Sequence, residues 1–268
     1  MPKTRVLTAI VLLGLVLVLL WQGTLVWLLA VFAAVALRAG WEWAGLFAGL
    51  AGARRWLLVT ALGACMAVLY ALPVSWTATA LAVGLAWWVL ALWLVLRFPR
   101  LPGWIDRPLA QAAIILLGLA PAWLALVRLA DGQRALLLLC LALVWAADSG
   151  AYAVGRTLGK RRLCPRVSPG KTVEGLLGGL VGAALVGLVA GLALGLDGLR
   201  LASLVGLTAA CAAVSVVGDL AESLFKRHAG VKDSSHLLPG HGGVLDRIDA
   251  LIAAAPLFAL TAPFLVRG

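Results

Sequence analysis

The chain predicts an all-α, polytopic integral membrane protein of about nine transmembrane helices, and three observations lead there. Of its 268 residues, 63% are hydrophobic and only 12% charged, too greasy a balance for an ordinary soluble domain. The apolar residues fall into runs of roughly 15–24, long enough to cross a bilayer as helices, which close their own backbone hydrogen bonds in lipid. The basic residues collect in alternate links between those runs, as the positive-inside rule requires.

Met1–Arg5 is basic and leads into an apolar stretch from Val6 to about Leu20. Trp21 and Gln22 follow in place of a small-residue cleavage site, so this reads as an uncleaved first span and not as a signal peptide. A short second span covers about Thr24 to Leu37. Arg38 to Arg55, with Trp41, Glu42, Trp43 and the Arg54–Arg55 pair, is expected at the interface, where tryptophan is favoured. Further spans run over about 56–72, 77–96, 109–127, 135–155, 173–196, 201–217 and 249–266.

With the N-terminus cytoplasmic, eighteen of the 22 lysines and arginines fall on the inner side. Only Arg128, Arg134, Arg200 and Arg267 are left outside. The +11 net charge is thereby a topology signal with some attraction to anionic headgroups, and nucleic acid is not expected as a partner. Residues 1–130 are expected to be scaffold helices and residues 131–268 to carry the site. The seventh span contains Gly178, Gly182, Gly187, Gly191 and Gly195 at four-residue steps, apart from the five between Gly182 and Gly187. Such a groove packs helices closely, either within the chain or as a homodimer seam. The scattered Cys65, Cys140, Cys164 and Cys211 form no Cys-x-x-Cys pair, and no chemistry is assigned to them.

The stretch Gly218–Asp249 holds five of the eleven acidic residues and all three histidines, between two apolar runs. Charge beside a bilayer is expensive, so a dense polar island there marks a functional site. Asp219, Glu222, Ser223 and Lys226 fall at i, i+3, i+4 and i+7 and share one helix face. Two carboxylates, a hydroxyl and an ammonium suit a metal-bound phosphate. Further on, Lys232 and Asp233 precede His241-Gly242-Gly243, where paired glycines let backbone approach a ligand. Asp246 and Asp249 open the last span three residues apart, and such carboxylates suit Mg²⁺. The histidines lack zinc-type spacing.

A third group lies upstream. Asp148 sits toward the inner half of the sixth span, a costly place for an unpartnered carboxylate. Ser168-Pro169-Gly170-Lys171-Thr172 is expected to open a helix, whose first N–H groups are free for phosphate. All three groups fall on the same inner side. No serine–histidine–acid or cysteine–histidine arrangement stands out, so a covalent intermediate is not needed. Metal-assisted phosphoryl or nucleotidyl transfer onto a lipid is the inference.

Ser223, Phe225, Lys226, Arg227, Lys232, Asp233, Ser235, Leu238, Pro239, His241, Gly242, Gly243, Leu245, Asp246, Arg247, Ile248 and Asp249, at these spacings, resemble the signature of the phosphatidate cytidylyltransferases (CDP-diacylglycerol synthases). Asp148 to Gly175 is similar to that family's upstream segment, with Gly170 where a lysine is usual. The N-terminal half matches only in hydrophobic layout. The resemblance implies transfer of CMP from CTP to phosphatidic acid, giving CDP-diacylglycerol and pyrophosphate. It implies Mg²⁺, with room for a second cation, on Asp219 and Asp246 first, then Asp249 and Asp148, with Glu222 a further candidate. Lys226, Lys232 and Arg247 would hold the triphosphate. Ser168, Lys171 and Thr172, with Ser223, Arg227, Asp233, His241, Gly242 and Gly243, would complete the substrate contacts. A lateral opening in the inner leaflet of a bacterial cytoplasmic membrane would admit the lipid.

The competing readings are a CTP-dependent polyprenol or phytol-type lipid kinase, which would leave CDP, an ion-coupled transporter, and a basic lipid-binding scaffold. Polar residues gathered at one side and the lack of a visible inverted repeat speak against a transporter. A scaffold would not require Asp219, Asp246 and Asp249 together.

Overall fold

The computed structural model describes residues 22–237 and 242–267, together with Gly14 and Val18. The expected first span lies almost wholly outside them. Among the described residues, eight helices are long and apolar enough to cross a membrane. They are α1 (Leu25–Gly45), α2 (Ala53–Ala71), α3 (Thr77–Arg97), α4 (Pro108–Gly132), α5 (Arg134–Leu158), α6 (Val173–Ala193), α7 (Gly198–His228) and α8 (Leu245–Arg267). The chain is thus an all-α integral membrane protein.

Contacts between helices distant in sequence show that successive helices alternate in direction. The end of α2 meets the end of α4 through Arg128 and the Tyr70 carbonyl, and the end of α7 meets the α3–α4 link through His228 and Asp106. The C-terminal end of α1 and the start of α8 come together the same way. This alternation gathers Arg97, Arg107, Lys171, Lys226 and Arg247 at one end of the bundle, and leaves Arg128, Arg134 and Arg200 at the other.

Three elements differ from expectation, one of them α7, which runs on to His228 past the expected end near residue 217. The second span does not stop at Leu37, because α1 continues to Gly45. Arg38, Trp41, Glu42 and Trp43 are therefore helical, and Glu42 is 0% exposed. Arg55 stacks over the Trp41 ring at 4.1 Å and donates to its carbonyl from Nε at 2.8 Å.

Ser168–Thr172 is not a helix start. It forms strand β2, antiparallel to β1 (Arg162–Cys164), with Arg162 opposite Thr172 and Cys164 opposite Ser168. Only Thr172 acts as a helix start, accepting the Gly175 N–H at 3.0 Å as the cap of α6. Glu174 ties the hairpin down. Its Oε2 accepts the N–H groups of Lys160 and Arg161, and its Oε1 accepts Arg161 Nε at 2.9 Å.

Helix α4 is apolar nearly all round and lies at the centre, with Ile114, Ile115, Leu119, Leu124 and Val127 buried, as such a helix should. Close packing elsewhere relies on glycine. A side chain at Gly178 would run into Val154, while Gly179 and Gly182 lie against the carbonyls of Ala147 and Ala146. Gly187 faces Thr208, and Gly191 faces Leu201 and Leu204. The glycine steps of α6 are thus used within one chain, against α5 and α7.

Gly178→Leu should therefore cost stability. Overpacking at a closed contact typically costs about 1–3 kcal/mol, visible as a lower thermal midpoint in detergent. Gly206→Ala, on the same bundle with open space at its Cβ, should leave the midpoint unchanged or raise it.

Candidate active site

Helices α7 and α8 cross closely because Gly218 lacks a side chain: a Cβ there would strike the Asp249 backbone carbonyl and the Ala253 methyl. The crossing brings the polar face of α7 against the first turns of α8. A cavity of about 570 Å³ opens there, lined by α5, β1, β2, α6, α7 and α8 together with Asp233. Its size falls within the roughly 300–1,000 Å³ of small-molecule sites. All of its lining residues lie between Ala147 and Asp249.

Six carboxylates line it, Asp148, Asp219, Glu222, Asp233, Asp246 and Asp249, against four cations, Arg156, Lys171, Lys226 and Arg247. Two of the lysines are already engaged. Lys171 Nζ lies 2.5 Å from Asp219 Oδ2. Lys226 Nζ sits between Glu222 Oε2 at 2.5 Å and Asp246 Oδ1 at 2.6 Å. The second group is the more deeply set, with the lysine, glutamate and aspartate side chains 12%, 3% and 6% exposed. Arg156 donates to the Tyr152 hydroxyl at 2.9 Å.

Asp246 is held from both sides. Its Oδ2 accepts the Gly243 N–H at 2.7 Å, the Ser234 N–H at 3.1 Å and the Ser234 hydroxyl at 2.8 Å. Gly242 permits this twice over: its φ is +79°, and a side chain would collide with the Asp246 carboxylate. One turn on, Asp249 faces the same cavity, and its Oδ1 accepts the Ala250 N–H at 2.8 Å. Asp148 of α5, exposed, lines the same cavity.

The structure thus brings together Asp148, Lys171, Thr172, Asp219, Lys226, Asp233, Asp246, Arg247 and Asp249 from the residues singled out in the sequence. The remainder stand aside from the lining. Ser223 lies 3.5 Å from Asp219 Oδ1, and Arg227 reaches the Val167 and Val231 carbonyls. Ser168 lies on β2 and Lys232 on the exposed surface. Gly242 and Gly243 cradle Asp246 rather than the cavity. His241 falls outside the described residues.

Glu42 was missed. It comes from α1, yet Oε1 accepts the Ser235 hydroxyl at 2.7 Å and Oε2 accepts the Leu245 N–H at 2.8 Å. Arg38 pairs with it at 3.0 Å. One signal was available: it is the first acidic residue of the chain, set in an apolar run where a charge without a partner is costly.

The donor set fits a hard divalent cation. Carboxylates outnumber cations on the wall, and Glu222 Oε1 is buried without a hydrogen-bond partner. No group of three or more potential metal-ligating residues is assembled among the described residues. Mg²⁺ commonly takes only one or two carboxylates and completes its shell with water and substrate phosphates.

The family model described as the cytidylyltransferase family matches residues 3–265. A phosphatidate cytidylyltransferase of Pseudomonas aeruginosa is 45% identical over 97% of this chain and 96% of its own length. Another, from Haemophilus influenzae, is 39% identical over 97% of this chain and 98% of its own.

The Lys226 cluster generates a stability prediction. Lys226→Met leaves two buried carboxylates facing one another, and removing one partner of a buried pair costs about 3–5 kcal/mol. The thermal midpoint in detergent should fall sharply. Adding Glu222→Gln to that variant should restore part of the loss, because one of the uncompensated charges is then gone.

Proposed function

The chain belongs to the cytidylyltransferase family and is a nucleotidyltransferase, and we propose that it transfers CMP from CTP to phosphatidic acid, yielding CDP-diacylglycerol and pyrophosphate. In this reaction a phosphate oxygen of the lipid attacks the α-phosphorus of CTP. The bond from that phosphorus to the bridging oxygen breaks, and the electron pair leaves with pyrophosphate. The whole-length similarity to relatives named phosphatidate cytidylyltransferases supports the choice of reaction.

The observation that carries the reading is the charge of the cavity. Six carboxylates face four cations, so a polyanionic substrate is accommodated only with additional positive charge. Lys171 and Lys226 are already paired with carboxylates. Their charge reaches phosphate fully only when those carboxylates have another counter-ion. We assign Asp219 and Asp246 as the principal Mg²⁺ ligands, with Asp249, Asp148 and Glu222 beside them. When bound, the ion neutralises nucleotide phosphate charge and orients the displacement.

Lys171, Lys226 and Arg247 then hold the triphosphate and stabilise the departing pyrophosphate, as fixed cations do in phosphoryl transfer. Arg156, bonded to a hydroxyl and not to a carboxylate, is free to meet a second phosphate. Ala147, Ala151, Leu176, Ala212 and Val216 line the apolar part of the wall and would exclude water from the reacting centre. The end of the bundle rich in basic residues is assigned to the cytoplasmic face of a bacterial inner membrane, where CTP is available.

The test follows label from CTP marked at the α-phosphate, with purified protein, Mg²⁺ and phosphatidic acid. Label should enter the lipid fraction as pyrophosphate is released, and a chelator should stop both. Asp246→Asn should lower turnover on the order of 10²-fold or more, with the folded fraction checked by thermal melting. Label recovered only as soluble CDP, and only with a lipid alcohol present, would favour the kinase instead.

A further inference from the structure

We propose that Glu42 is a positioning residue for Asp246, acting from the N-terminal half of the chain on the backbone that holds that carboxylate. The inference rests on the assignment of Asp246 to the reaction. Glu42 has 0% exposure, and its only ion-pair partner among the described residues, Arg38, is 33% exposed. As a stabiliser alone such an arrangement is a poor choice, since well-packed apolar residues commonly do as well as a buried pair or better. Its value lies in what it holds.

Leu245, whose N–H donates to Glu42, immediately precedes Asp246. Ser235, whose hydroxyl donates to Glu42, immediately follows Ser234, and Ser234 gives Asp246 both its N–H and its hydroxyl. The Ser234 hydroxyl also lies 3.2 Å from Glu42 Oε2. It has one proton to give, which goes to Asp246 at 2.8 Å. Glu42 therefore grips the neighbour of each segment that sets the Asp246 carboxylate.

The start of α8 explains why help from another helix is needed. The first N–H groups of a helix have no partner within it. A serine, threonine, aspartate or asparagine ahead of the helix usually accepts one of them. Here Val244 precedes Leu245 and offers no acceptor side chain. Glu42 takes that place from 203 residues away. A side chain at Gly243 would strike both Ser234 Oγ and the Glu42 carboxylate, so the three groups close on one another. Misplacing a reacting group by about 1 Å can cost about 10²-fold in rate.

The experiment uses the full chain in detergent and compares wild type with Glu42→Gln, Glu42→Ala, Ser235→Ala and the double variant Glu42→Gln/Ser235→Ala. Amide hydrogen exchange and transfer of α-label from CTP are both read. Glu42→Ala should lower kcat by about 10–100-fold, the range of losses seen when groups orienting a metal ligand are removed, while KM for CTP changes little. Exchange should quicken only in peptides covering residues 231–237 and 242–246. Glu42→Gln keeps a carbonyl acceptor and should recover much of the rate, and its effect should not add to that of Ser235→Ala.

Exchange that quickens throughout the chain with kcat unchanged per folded molecule would make Glu42 purely structural and overturn the proposal. So would wild-type exchange and kcat in Glu42→Ala. If that variant fails to fold, Glu42→Gln and Ser235→Ala decide by the same two readouts. If the wild type itself transfers no label, the reaction assignment falls, and the local exchange change still shows whether Glu42 holds the loop.

Discussion

One ammonium shared between two carboxylates organises the functional end of this protein. Lys226 lies within ion-pair distance of Glu222 on its own helix and of Asp246 on the next. All three side chains are nearly closed off from solvent. An isolated charge at such a site costs several kcal/mol in lost hydration. The lysine lets the acids approach each other as closely as the cavity requires. It also fixes the register of α7 against α8, because the contact is met at only one placement of the two helices. The Lys171–Asp219 pair repeats the arrangement from β2.

That electrostatic condition depends on backbone geometry. Gly218 brings α7 and α8 together beside Asp249, while the glycines of α6 bring α5 and the hairpin alongside α7. Gly242 and Gly243 then turn the loop under Asp246. Lipid provides no hydrophobic drive between helices, so close packing of small residues performs the work that burial does in water. The same glycines that pack the bundle set the distances at which the charges meet. Packing and chemistry are therefore not separable along α6 and α7.

Much of this was legible because the relevant signals are local. Apolar run length marked six of the eight helices described within a few residues, while α1 and α7 continue past their apolar runs to Gly45 and His228. The spacing of Asp219, Glu222 and Lys226 placed them on one face. Asp246 and Asp249 lie one turn apart on the first turns of α8 for the same reason. Seventeen positions at fixed spacing identified the family before any contact was known. Where a short-range signal pointed two ways, the reading failed. Ser168–Thr172 carries a proline and a glycine ahead of a helix, a pattern shared by a loop, a helix start and a hairpin strand. Its pairing with Arg162–Cys164 is what chose the strand.

Glu42 illustrates the harder limit. Its neighbours in sequence, two tryptophans and an arginine nearby, are what an interfacial segment would also show. Arg38, one turn earlier, is the one partner the local sequence offers, and nothing near Glu42 points to Ser235 and Leu245, which lie about two hundred residues away. A single sequence reports periodicity and composition, and a long-range contact leaves no trace in either. What it does leave is an unexplained expense: an acid in an apolar helix with only a partly exposed arginine beside it, and a helix start at Leu245 with no cap of its own. Each is an unmet need of opposite sign, one for a donor and one for an acceptor, and they meet at the same end of the bundle. Matching such needs across the chain is how a membrane protein with few polar residues constrains their arrangement.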